Sequence, residues 1–160
     1  LNSPAAQPQL PIRDPRHRPT VGIEGAKHLV DVSEDELLAL IEDGRVSHAW
    51  HIGLGSLHRE VRILRRSLDN YLARLDGAKV TDPTDFEALT LLLPPGHTKP
   101  FLTGTDIQRA LNCVSTHVIN LIEARALVLQ PGTSWTTGPA GSPLVTVSSF
   151  AQFLKTRRLA

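Results

Sequence analysis

Residues 102–127, LTGTDIQRALNCVSTHVINLIEARAL, lie without a gap over residues 21–46, VGIEGAKHLVDVSEDELLALIEDGRV. Val21 meets Leu102, Ala26 meets Ile107, and Leu29 with Val30 meets Ala110 with Leu111. Val32 meets Cys113, Leu37 meets Val118, and the LIE of 40–42 meets the LIE of 121–123. Apolar positions match in kind while polar positions differ. Two copies of one core with two different surfaces give that pattern. Further on, RILRRSLDNYL overlays LVTVSSFAQFL, a strand and then a helix. Two copies are too few for a solenoid, so the repeat predicts two tandem domains.

Each copy reads as helix, tight turn, helix, hairpin, helix. In the first, Ala26, Leu29 and Val30 have helical spacing. VSEDELLALIEDG then restarts a helix, with Ser33 as N-cap, Glu36 as its capping-box partner and Gly44 as terminator. HAWHIGL and HREVRIL read as strands joined by GLGS. Val61 and Ile63 share one face; Glu60, Arg62 and Leu64 share the other. RRSLDNYLARL follows as a helix with Ser67 as candidate N-cap and Leu68, Leu72 and Leu75 on one side. In the second copy Leu111 ends a helix, Asn112 suits a left-handed turn and Cys113 plugs the angle between helices; Asp31 and Val32 hold the same places in the first. This is the order of a helix-turn-helix followed by a wing. The expected fold is mainly α with small β-hairpin wings (α+β), as two tandem winged helix-turn-helix domains. The expected divisions are 1–20, a flexible Pro-rich basic tail; 21–75, the first domain; 76–100, a linker with a short helix through DFEALTLLL; and 101–160, the second domain.

Composition narrows the function classes. A 41% hydrophobic fraction supports a core, and a net charge of +1 means that any basic site is local. Cys113 is the single cysteine, which fits a reducing compartment. No apolar run reaches the roughly 18–20 residues of a membrane span, and no signal-peptide pattern opens the sequence. The expected location is cytoplasmic, nucleoid-associated in a bacterium or phage. No nucleophile elbow, P-loop, zincin or dinucleotide fingerprint is present, so the chain is not expected to be an enzyme. His48 and His51 lie three apart on a strand and face opposite sides, without further His or Cys at ligand spacing. No metal, cofactor or small-molecule substrate is expected.

The segments LTGTDIQRALNCVSTHVINLIEARAL with LVTVSSFAQFL, and VDVSEDELLALIEDGRVSHAWHI with REVRILRRSLDNYL, resemble the excisionase-type, MerR-like winged helix-turn-helix family. The resemblance covers about two-thirds of the chain. That family's pattern has a Leu-Thr start, Leu-Gly-Val-Ser at the turn, Leu-Ile-Glu-x-Gly-x-Leu closing the second helix, and a strand leading into a final helix. It implies sequence-specific binding of double-stranded DNA, with the second helix in the major groove and the wing on the backbone or minor groove. The sequence departs from the pattern in two places. The first copy's second helix opens on Glu34, Asp35 and Glu36, which DNA repels. In the second copy Arg125 stands where the closing Gly is expected.

Two sets of residues could meet DNA. The first copy's wing carries His58, Arg59, Arg62, Arg65 and Arg66, whose guanidiniums match phosphate oxygens. The alternative is that these arginines pair with Glu60, Asp69 or the acids of the preceding helix. The second copy offers Ser115, Thr116, His117 and Asn120 on its second helix. Hydroxyls bind phosphates and Asn pairs bidentately with adenine. Thr103 and Thr105 at the start of its first helix, and Arg125 after its second, complete the set, with N-capping and pairing to Glu123 as their structural alternatives. The basic tail, with Arg13, Arg16, His17 and Arg18, could lie along phosphates. Trp50 is expected against Leu40 or Tyr71, and Trp135 lies in the second wing. The chain is expected to be a small transcriptional regulator or a mobile-element accessory factor that binds double-stranded DNA. A protein-interaction adaptor, through a protein partner or self-association, is the alternative.

Overall fold

The computed structural model describes residues 18–54, 60–133 and 143–159. The tail residues 1–17, with Arg13, Arg16 and His17, lie outside these; so do His58 and Arg59 of the first expected wing, and Trp135 of the second. The described residues form seven helices and two small antiparallel sheets, compatible with the α+β expectation. No helix among them is long and apolar enough to cross a membrane.

The chain opens with β1 (Thr20–Val21), then α1 (Ile23–Val30) and α2 (Glu34–Glu42). Asp31 takes a left-handed conformation at φ 55° and turns the chain between the two helices. Ser33 and Glu36 form the expected capping box, and Gly44 at φ 77° follows α2. Strands β2 (Ala49–His51) and β3 (Val61–Leu64) pair antiparallel, and α3 (Arg65–Leu75) continues directly from β3. Ser67 therefore lies inside α3, not before it. Its buried hydroxyl donates to the carbonyl of Leu64 at 2.7 Å instead of capping the helix. Leu75, expected in the buried stripe, is exposed. Between the copies, α4 (Asp85–Leu92) starts at a Thr84–Glu87 capping box.

The second copy repeats this course with β4 (Phe101–Thr103), α5 (Gly104–Leu111), α6 (Ser115–Glu123), β5 (Leu144–Thr146) and α7 (Val147–Arg157). Asn112 turns the chain at φ 50° where Asp31 does in the first copy, and Arg125 sits at φ 63° in the place of Gly44. Strand register carries the equivalence through: Val21 faces Ile63, and Leu102 faces Val145. The strands β1 and β4 have no counterpart in the expected order. Each runs into the first helix of its copy and pairs with the strand that precedes the last one.

The two copies bury two cores that share a sheet. The sheet β1-β3-β2 is a wall between them. Ala49, Val61 and Ile63 pack with Ala26, Leu37, Ile41 and Leu68 of the first copy. Trp50, Ile52 and Leu64 join Ile107, Leu111, Leu121, Phe150 and Phe153 of the second. Alternation along β2 sends Trp50 and Ile52 to the face opposite Ala49, which is why Trp50 packs in the second core and not against Leu40 or Tyr71. Helix α4 adds Ala88 and Leu92 to that same core. In return, Leu159 packs on the first core, and its N–H donates to the carbonyl of Ala49 at 2.9 Å. Burying Trp50, Ile52 and Leu64 contributes on the order of 1.5–3 kcal/mol each.

Candidate nucleic-acid interface

Helix α6 places its residues in two sets. Val118, Leu121 and Ile122 are buried in the second core. Ser115, Thr116, Ile119, Asn120 and Glu123 are exposed, at spacings that put them on one side of the helix. Its N-cap, Val114, makes no side-chain capping bond. The equivalent helix α2 is different: Glu34, Asp35 and Glu36 are exposed in its first turn, and its start is closed by Ser33.

His117 leaves the exposed set. Its ring is half-buried, and Nε2 donates to the carbonyl of Ile52 at 2.6 Å. Ile52 is the last ladder partner at the end of β2, its N–H bonded to Glu60 O at 2.8 Å. The end of β2 is thus tied to the first turn of α6.

Arg62 ties the neighbouring strand β3 to the end of α5. Its Nε donates to the carbonyl of Leu111 at 2.7 Å and to that of Asn112 at 3.2 Å. Its Nη1 donates to Glu60 Oε2 at 3.1 Å and to Val61 O at 3.0 Å. The side chain is only 15% exposed. The carbonyls that it meets belong to the end of α5, where a left-handed turn leaves acceptors without helical partners and the helix dipole is negative. The guanidinium expected on phosphate is engaged inside the molecule. Arg65 is held differently: its Nε lies 3.5 Å from Asp69 Oδ1 one turn on in the same helix, an ion pair without a hydrogen bond. Arg66 is exposed and makes no ion pair among the described residues.

The remaining candidates divide between capping and exposure. The Thr103 hydroxyl accepts from the Asp106 N–H at 3.1 Å, and the Asp106 carboxylate accepts from the Thr103 N–H at 2.9 Å, so this threonine caps α5. Thr105 is exposed one residue inside that helix, and Arg125 is exposed beyond α6. Sequence reasoning missed Ile119, which is 39% exposed, and Arg109, exposed in the last turn of α5. An isoleucine at helical spacing reads as core unless the apolar stripe is already full. Here Val118, Leu121 and Ile122 fill it.

A second polar cluster joins the copies on another side. His48 is 3% exposed. Its Nε2 lies 3.0 Å from Asp85 Oδ1, and its Nδ1 lies 2.9 Å from the Ser47 hydroxyl. A carboxylate only accepts, so Nε2 carries the proton and Nδ1 accepts from Ser47. Burial holds the His48 pKa below the ordinary histidine range, outweighing the hydrogen bond to Asp85 that would raise it. The hydrogen bond from His48 and the nearby Arg158 guanidinium hold Asp85 below the usual carboxylate range. Arg158 bonds Asp85 and donates to the Ser47 carbonyl. The Cys113 thiol, half-buried at the turn before α6, is pushed up to about 11 by burial. It is therefore not a thiolate at neutral pH. No group of three His, Cys, Asp or Glu side chains among the described residues is placed to hold a metal ion.

No protein-family model, no curated protein and no solved structure significantly matches this chain.

Proposed function

We propose that the chain is a DNA-binding protein of two winged helix-turn-helix units of the excisionase type, in which α6 alone enters the major groove. The single observation that carries this reading is the contrast between α2 and α6. The two helices are equivalent, yet α2 exposes three carboxylates in its first turn and α6 exposes Ser115, Thr116 and Asn120 there and beyond. The first turn of α6 carries no carboxylate and can approach a polyanion without the repulsion that the first turn of α2 meets. Hydroxyls suit phosphates and sugar edges, and the amide suits adenine. The first unit supports α6, through Arg62 on the turn before it and His117 on its first turn. The segment between those two anchor points carries His58 and Arg59 in sequence. A regulator or an accessory factor for DNA rearrangement fits such a two-unit binder.

The acidic first turn of α2 favours a second reading, in which the first unit docks a basic protein surface and the chain acts as an adaptor. Binding to a random duplex pool, measured by fluorescence anisotropy over a range of salt concentrations, separates the two. DNA binding through a few cations predicts a shallow log–log salt slope, roughly −2 to −4. Paired substitution of Thr116 and Asn120 by Ala should reduce affinity for a selected site and leave the slope unchanged. No association at low salt would rule out the DNA reading and leave the adaptor.

A further inference from the structure

We infer that the exposed face of α6 selects A·T base pairs, through the 5-methyl group of thymine on Ile119 and the major-groove edge of adenine on Asn120. This rests on the DNA-binding reading above and adds the class of site. Helix α6 contains no arginine or lysine. The commonest specific contact in the major groove, a bidentate cation on guanine, is therefore absent from its side chains. The exposed face instead offers two hydroxyls, an amide, one carboxylate and Ile119. Ile119 and Asn120 are neighbours at the middle of that face, with Thr116 one turn before and Glu123 one turn after. Ile119 faces water in the free protein although the core below is filled by Val118, Leu121 and Ile122. Val114, 67% exposed at the N-cap, extends the apolar surface at the start of the helix. In the major groove, the methyl of thymine is the apolar group available to cover such a side chain, and adenine offers the N6 donor and N7 acceptor that an amide matches.

Thymine replaced by uracil keeps base pairing and removes only the methyl. The first step is selection from a random duplex pool, which should return sites enriched in A·T. The selected duplex is then made with uracil at each thymine in turn, and binding is measured for the full chain and for Ile119→Ala. One methyl buried against Ile119 is worth about 0.8 kcal/mol, or about four-fold in affinity. The expected result is a loss of that size at one or two positions for the native chain, and none at those positions for Ile119→Ala. Ile119→Ala is exposed and helix-favouring, and its melting curve should match that of the native chain. Duplex binding that is indifferent to uracil, or a selected site rich in G·C, overturns the inference while the DNA-binding reading stands. Absence of binding to any duplex at low salt overturns both.

Discussion

Replacing Arg62 by alanine should destabilise the whole molecule, whatever it does to ligand binding. The side chain gives one charged donor group to two carbonyls at the end of α5, at 2.7 and 3.2 Å, and a second to Glu60 and Val61. Hydrogen bonds from a charged donor are worth about 1.5–3 kcal/mol. The pair with Glu60, itself half exposed, adds about 0–1 kcal/mol after solvent screening. Water can reach part of the vacated site, so the net loss is about 2–4 kcal/mol. For a domain of this length that is a fall in Tm of about 6–12 °C. Thermal and urea unfolding, followed by far-ultraviolet circular dichroism, measures it. Arg66→Ala is the matched control, because Arg66 is exposed and has no ion pair among the described residues; its change should stay within about 0.5 kcal/mol. Arg62→Lys keeps the charge but loses the planar fork, so it should recover less than half of the loss. If Arg62→Ala melts together with Arg66→Ala, the clamp does not exist in solution. Arg62 then returns to the pool of cations available to phosphate.

Two more outcomes can be checked with the same instruments. The folded protein holds His48 neutral, with its pKa below 6.5, so the unfolded chain binds more protons as pH drops. Stability present above about pH 6.5 should decline as pH falls through the folded value of His48. Asp85, also depressed from 3.8, contributes stability that is lost further down, as its carboxylate is protonated. His48→Gln should flatten the upper part of this decline, and a decline as steep as the native one would place its cause in other groups. Arg125→Gly should raise stability by about 0.5–1 kcal/mol, since a left-handed conformation strains a residue with a Cβ and not glycine, less the entropy of the freer unfolded chain. The same variant should lower duplex affinity if Arg125 meets a phosphate. Unchanged or reduced stability would mean that its side chain supplies a compensating contact.

Much of each copy's local course was legible because local chemistry leaves a local signature. Ser33 with Glu36 is a capping box in sequence and in space, and Asn112 is a residue that tolerates the left-handed turn it occupies. The repeat makes Gly44 and Arg125 equivalent, and both take the left-handed conformation. What sequence could not supply was the partner of each outward face. Alternation along β3 separates Arg62 from Val61 and Ile63, but it does not say what covers Arg62. The acceptors are main-chain carbonyls 49 residues away, and a carbonyl has no residue identity to read. The same limit misplaced Trp50: it was expected against Leu40 or Tyr71 of the first core and packs in the second. Ser67 failed for a local reason. Its hydroxyl can reach back to Leu64 O from inside a helix as readily as it can cap one, and the strand runs into α3 without a break.

The N–H of Leu159 on the carbonyl of Ala49 has a consequence for biosynthesis. In the folded molecule the outer edge of β2 is paired with a segment made much later in the chain; nearby, Arg158 reaches Ser47, 111 residues back. At ribosomal rates of about 5–20 residues per second, that edge waits on the order of 5–20 s for its partner. For that time the nascent chain shows an open strand edge and the bare indole of Trp50, the features that invite pairing with other chains. Proper assembly of the first copy is thus timed by completion of the second, and slow translation between them is the interval in which a chaperone has most to do.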